Sequence, residues 1–111
     1  GELEEGGKLA KNEGVYLEEL DITVEELSSE AINSLGLDSK TSGILVKEVG
    51  DKNENLLNND VIIQVSSEKI KDISSFQSMI ANSIKLNRDK LLLRVIRDGN
   101  EFWLINPFVI E

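Results

Sequence analysis

Two apolar runs, KLLLRVIR and EFWLIN, flank Asp98-Gly99-Asn100 in the C-terminal part of the chain. Asp-Gly between apolar runs is the strongest short-range hairpin signal, because both central residues of a tight type I′ turn need positive φ and few residues adopt it readily. The end of the chain is thereby committed to an antiparallel ribbon. Everything upstream has to supply strands and helices that pack on it. Pro107 then ends the ladder, as a residue without an N–H does at a sheet edge.

Upstream, strand and helix periods alternate. GVYLEEL carries an alternation of Val15, Leu17 and, with a slip, Leu20, which predicts a short strand. The stretch ELDITVEEL, Glu19 to Leu27, sets Ile22, Val24 and Leu27 among an Asp, a Thr and Glus, with Asp21 where the chain turns. It reads as a strand that is polar on one side, and the question it raises is whether its edge is open to a partner. SSEAINSLGL is a compact helix, with Ser28 or Ser29 as cap, Glu30 in the first turn, Ile32 and Leu35 on the inner face and Gly36 as terminator.

DSKTSG is a loop and GILVKEV a buried strand. DKNENLLNN is turn-rich, with room for one helical turn around Leu56 and Leu57. DVIIQV places Val61, Ile63 and Val65 on one face, SSEK turns, and Ile70 begins the return. ISSFQSMIANSI is the strongest helix: Ser74 and Gln77 fit a capping box, and Phe76, Ile80 and Ile84 form an apolar stripe with Met79 beside it. Five or six short strands and two helices with mostly antiparallel connections make a mixed α/β (α+β) fold. The natural packing is a small, partly open antiparallel barrel or sandwich with its ends covered by the helices.

A chain of 111 residues is one domain and buries about two-thirds of its unfolded surface, so it builds a core without staples. Residues 1–13, rich in Gly and Glu and without periodicity, read as a linker, and residues 14–111 as the domain. Lys plus Arg number 12 against 21 Asp plus Glu, for a net charge of −9, which repels nucleic acid and anionic membrane alike. No apolar run approaches spanning length, so no direct membrane insertion is expected.

The absence of His removes the usual general base and the Ser-His-Asp triad, and the absence of Cys removes thiolate chemistry and disulfides. Asp38, Asp51 and Asp60 lack the close oxygen-ligand spacing of a Ca²⁺ loop, and GELEEGG lacks the Lys-Ser/Thr ending of a phosphate loop. No catalytic residue, metal or cofactor is expected in this segment.

The order of parts resembles the PDZ domains of the HtrA (Do-like, trypsin-type) serine proteases in their permuted bacterial strand order. DITVEELSSEAINSLGL, NNDVIIQV and RVIRDGNEFWLINPFVIE carry the resemblance, which covers about Gly14 to Glu111. The last segment is similar to the chain end of the second, C-terminal PDZ domain of such proteases. The opening GELEE is similar to the end of a preceding domain, and so to a linker between two PDZ modules.

The resemblance implies a module that recognises C-termini or extended segments of unfolded substrates. It also implies a periplasmic or cell-envelope setting, a role in protein quality control, and the protease and first PDZ domains of the parent chain as neighbours. In such domains the segment matching Leu20-Asp21-Ile22 turns its backbone N–H groups on a peptide's C-terminal carboxylate. The peptide then adds as a strand beside Ile22 to Glu26, with Ile22, Thr23 and Val24 as the binding residues, in a groove walled by the helix from Ser74 to Ile84. Phe76, Met79 and Ile80 line that groove or the core beneath it. Of these, Phe76 and Ile84 are expected in the core and Met79 and Ile80 on the groove wall.

The chain departs from the family's pattern at Asp21, where Gly is favoured: its carboxylate would oppose an incoming carboxylate, at about 1 kcal/mol or more. Asn59 replaces a Gly and tolerates the left-handed conformation. Three readings stay open: a peptide-binding module, a structural or oligomerisation module with a degenerate groove, and a PDZ unit from another protease type.

Overall fold

The computed structural model describes residues 14–109. The linker expected over residues 1–13 lies outside them, as do positions 110 and 111 of the expected domain. The strands are β1 (Val15–Leu17), β2 (Ile22–Glu26), β3 (Ile44–Val49), β4 (Val61–Val65), β5 (Glu68–Lys69), β6 (Lys90–Arg97) and β7 (Asn100–Pro107). The helices are α1 (Ser29–Ser34) and α2 (Ile73–Lys85). The seven strands form one antiparallel sheet in the order β1-β2-β3-β4-β6-β7, with the two-residue β5 paired to β4 off that path.

The sheet curls without closing. Among the described residues no ladder joins β1 to β7, but Val109 N–H donates to the Glu19 carbonyl at 2.8 Å. The buried Asn53 amide donates to the Leu20 carbonyl (2.8 Å) and to Asn106 Oδ1 (3.1 Å), so side chains lace the two ends together. The expected partly open barrel is thus an open sheet of one or two strands more, joined at its seam.

The C-terminal hairpin forms where Asp98-Gly99 predicts it. Both residues have positive φ (53° and 81°), and the register runs from Arg97↔Asn100 to Lys90↔Pro107. That sign at both central positions is the type I′ signature, whose twist matches the strands. Asn59 likewise takes φ 75°, as its side chain permits.

The core is a cluster of aliphatic side chains around Phe76, built largely from residues of β2, β3, β4 and β6. Ser28 caps α1, its hydroxyl accepting from Ala31 N–H at 3.1 Å, and Gly36 follows at φ 69°. The inner-face residues Ile32 and Leu35 are only half-buried.

Four local expectations are revised. The loop through Leu56 forms no helical turn; Asn53 Oδ1 accepts from Asn55 and Leu56 N–H (2.9 and 3.0 Å), a side-chain substitute for helix. In β4 a register shift between Ile62 and Gln64 turns Ile62 (0 % exposed) into the core, where strict alternation places Ile63.

α2 starts two residues earlier than the Ser74–Gln77 box implies. Asp72 caps it, its carboxylate accepting from Ser75 N–H at 2.8 Å while Ser75 Oγ accepts from Asp72 N–H. This start buries Ile73 and phases the inner face as Ile73, Phe76 and Ile80. The last turn leaves the packed layer, and Ile84, expected in the core, is 44 % exposed.

Candidate functional site

β2 is the strand around which the site is built. Leu20, Ile22 and Val24 are fully buried, and Thr23 and Asp21 are half-buried. Opposite them α2 contributes Phe76 and Ile80, both buried, so these two are floor rather than open wall. Glu26 ties the far end, its carboxylate oxygens accepting from Ile73 N–H, both at 3.3 Å, at the start of α2. An acidic group at a helix N-terminus complements the partial positive charge there.

Of the predicted site residues, Leu20, Asp21, Ile22, Thr23 and Val24 share one turn and strand, and Phe76 and Ile80 face them. Met79 stands apart. It lines a hollow with Val65, Ser66, Ser67 and Glu68 at the β4–β5 turn, on another side of α2. The side chain that does face the turn is Gln77. With Ile80, Tyr16, Leu17, Glu18 and Glu19 it lines a hollow of about 270 Å³. Helical spacing carried that signal, since Gln77 lies one position from Phe76 and three from Ile80, but its polarity marked it only as solvent-facing.

Both edges of β2 are paired. β3 takes one, and β1 takes the other with Val15↔Val24, Tyr16↔Thr23 and Leu17↔Ile22 opposed. The edge expected to await a ligand therefore carries three residues of the chain itself. Leu17 is 3 % exposed within the core cluster, Val15 packs against it, and Tyr16 points outward.

The turn between β1 and β2 is closed by Leu20 N–H donating to the Leu17 carbonyl at 3.2 Å, and Asp21 sits at φ 53°. Asp21 is held on three sides. Its carbonyl accepts from Gly50 N–H at 2.8 Å, Oδ1 accepts from Tyr16 Oη at 2.6 Å, and Oδ2 accepts from Lys52 N–H at 2.9 Å. A β-carbon on Gly50 would collide with the Asp21 carboxylate, so this close approach needs glycine. The Tyr16 hydroxyl first, and the Lys52 amide next, lower the Asp21 pKa below the ordinary carboxylate value. The carboxylate thus faces Tyr16 and the 50–52 loop, which explains how Asp is accommodated where the resemblance leads one to expect Gly.

No protein-family model matches the chain, and no curated protein matches it. Among solved structures it is similar to the HtrA3 PDZ domain bound to a phage-derived ligand (FGRWV), at 21 % identity and a TM-score of 0.63, over 81 % of this chain and 83 % of that one. The fold is that of a PDZ domain. The expected mixed fold with two helices stands on this match.

Proposed function

We propose that this PDZ domain is a peptide-binding module of an HtrA-type serine endoprotease, recognising C-termini or extended segments of substrates by strand addition along β2. The observation that carries the reading is the buried β2–α2 pair in a fold similar to an HtrA3 PDZ domain with a ligand bound. That domain's ligand, FGRWV, ends in an aromatic residue followed by an aliphatic one, the same order as Tyr16-Leu17 along β2.

On this reading the protease and a first PDZ domain belong to the parent chain, and the setting is the periplasm or cell envelope, where unfolded proteins are the substrates. The described residues hold no cluster of His, Cys, Asp and Glu fit for a metal, and the chain has no His or Cys to serve as base or thiol nucleophile. Catalysis is assigned to the parent's protease domain. The test is a titration of the 111-residue chain against a library of peptides with free C-termini. Saturable binding to a subset with an apolar last residue is expected, and uniform lack of binding defeats the reading.

A structural or oligomerisation role is the second reading. It is favoured by the pairing of both β2 edges within the chain and by the engagement of Asp21 with Tyr16 and Lys52. It predicts no peptide binding, and contacts to other parts of the parent through the domain's surface.

A further inference from the structure

We infer that Val15–Leu17 is an in-cis occupant of the ligand edge, and that ligands are extended segments with an aliphatic-x-aliphatic pattern that bind by displacing it. The inference rests on the peptide-binding reading and specifies both the state of the groove and the chemistry that fills it.

The direction of β1 is the first observation. It lies antiparallel to β2 and runs toward the Asp21 turn, with Leu17 opposite Ile22 as its last residue. A peptide adding antiparallel with its end at that turn follows the same path. Leu17 presents the core-filling side chain at the end of the path. Its carbonyl accepts from Leu20 N–H, a donor of the turn expected to hold a ligand carboxylate. The chain then continues into Glu18 instead of ending, so the site is shaped to hold an internal segment.

The burial pattern gives the ligand class. β1 reads half-buried, exposed, buried, with Val15 and Leu17 inward and Tyr16 58 % exposed. Two inward aliphatic side chains separated by one outward-facing position are therefore what the site accepts. Glu18 and Glu19 at the mouth, beside Gln77, disfavour acidic ligands.

Its short length makes the strand displaceable. β1 has three residues against eight in each strand of the C-terminal hairpin. Its entry depends on Gly14, at φ 82°, where a β-carbon would lie 2.8 Å from the Val24 carbonyl oxygen and 3.0 Å from Thr23 Cγ2. A ligand's apparent affinity is reduced by the fraction of molecules whose edge is vacant. Loosening β1 therefore tightens binding, and fixing it abolishes binding.

The experiment locks and loosens the strand in the full chain. Tyr16 and Thr23 are directly opposed, and opposed antiparallel residues lie within disulfide reach. With no native cysteine, Tyr16→Cys with Thr23→Cys makes a single switchable bridge. Binding of fluorescein-labelled GVYLE with an amidated end, which carries the full pattern, and of labelled FGRWV, which matches it only at its last aliphatic position, is measured by anisotropy on the oxidised and reduced forms, on the parent and on Gly14→Ala. We expect oxidation to weaken both peptides by more than about tenfold relative to the reduced form. Gly14→Ala, through the cost of a left-handed alanine and the lost fit, should tighten both by about tenfold.

Equal binding by the oxidised and reduced forms overturns the in-cis occupancy while leaving the peptide-binding reading intact. Binding of FGRWV but not of amidated GVYLE to the reduced form overturns the ligand class. Absence of binding in every form, Gly14→Ala included, overturns the peptide-binding reading and the inference with it. The reduced form shares its sequence with the oxidised one, so a folding defect caused by the substitutions cannot produce the difference.

Discussion

Asp21 is a hydrogen-bond hub joining Tyr16, Gly50 and Lys52, and its carboxylate works for the fold before any ligand arrives. Its lowered pKa gives the sign of a pH effect. A carboxyl whose folded pKa is depressed adds stability above its unfolded pKa, and that contribution is lost as pH falls through the folded value. Tyr16→Phe should move the Asp21 titration, followed by carbonyl NMR shifts, upward toward the ordinary value; an unchanged titration would show that the hydroxyl contributes nothing. Asp60 offers a sharper stability test. It is 1 % exposed, and Arg97 Nε and Nη2 reach its two oxygens at 2.9 and 2.8 Å. The guanidinium–carboxylate bond comes first among the effects that raise the Arg97 pKa. Arg97→Leu leaves a buried carboxylate with only the Leu57 N–H as remaining partner among these bonds, and should cost about 1–3 kcal/mol, read as a lower urea midpoint.

At the scale of elements, the hairpin of β6 and β7 isolates a conformational effect from a packing one. Gly99 has φ 81°, and a β-carbon added there would meet nothing within 4 Å, so Gly99→Ala should cost about 1–2 kcal/mol through backbone strain alone. A loss much larger than that in thermal unfolding would mean that the turn has partners beyond its own backbone. This element was legible in the letters because turn chemistry is local: Asp98 and Gly99 carry their φ preferences with them. The same is true of the Ser28 cap on α1 and of Asn59. What was not legible depended on partners distant in sequence. The bulge that turns Ile62 inward is set by pairing with β6, and the start of α2 at Ile73 by the core that Ile73 enters. Edge occupancy is the largest such case. The letters mark β1 as a strand and β2 as half-polar, yet hold no register between them, and the three opposed pairs from Val15↔Val24 to Leu17↔Ile22 decide whether the site is open.

For the whole molecule, the question is which exposed surface governs association. The outer face of the C-terminal ribbon carries Leu92, Trp103 and Ile105, each between 41 % and 55 % exposed, and β7 forms the end of the sheet. Exposed aromatic and aliphatic side chains at a sheet edge favour strand-to-strand pairing between copies. Two features oppose it. Arg94 lies 5.0 Å from the Trp103 ring centroid and is bound to Glu101 at 2.7 Å, which sets polar groups over the indole, and Pro107 denies the edge one donor. A net charge of −9 repels a second copy over a distance comparable to the Debye length, about 8 Å at physiological salt. Repulsion therefore governs encounter, and the chain should sediment as a monomer at micromolar concentration. Because the repulsion is screened and apolar contact is not, raising the salt to about 1 M, where the Debye length is about 3 Å, should shift the distribution toward dimer. Arg94→Ala should enhance that shift by uncovering the indole, and Trp103→Lys should abolish it. A tight oligomer at low salt, or a salt response that Trp103→Lys leaves untouched, would place the associating surface elsewhere on the domain.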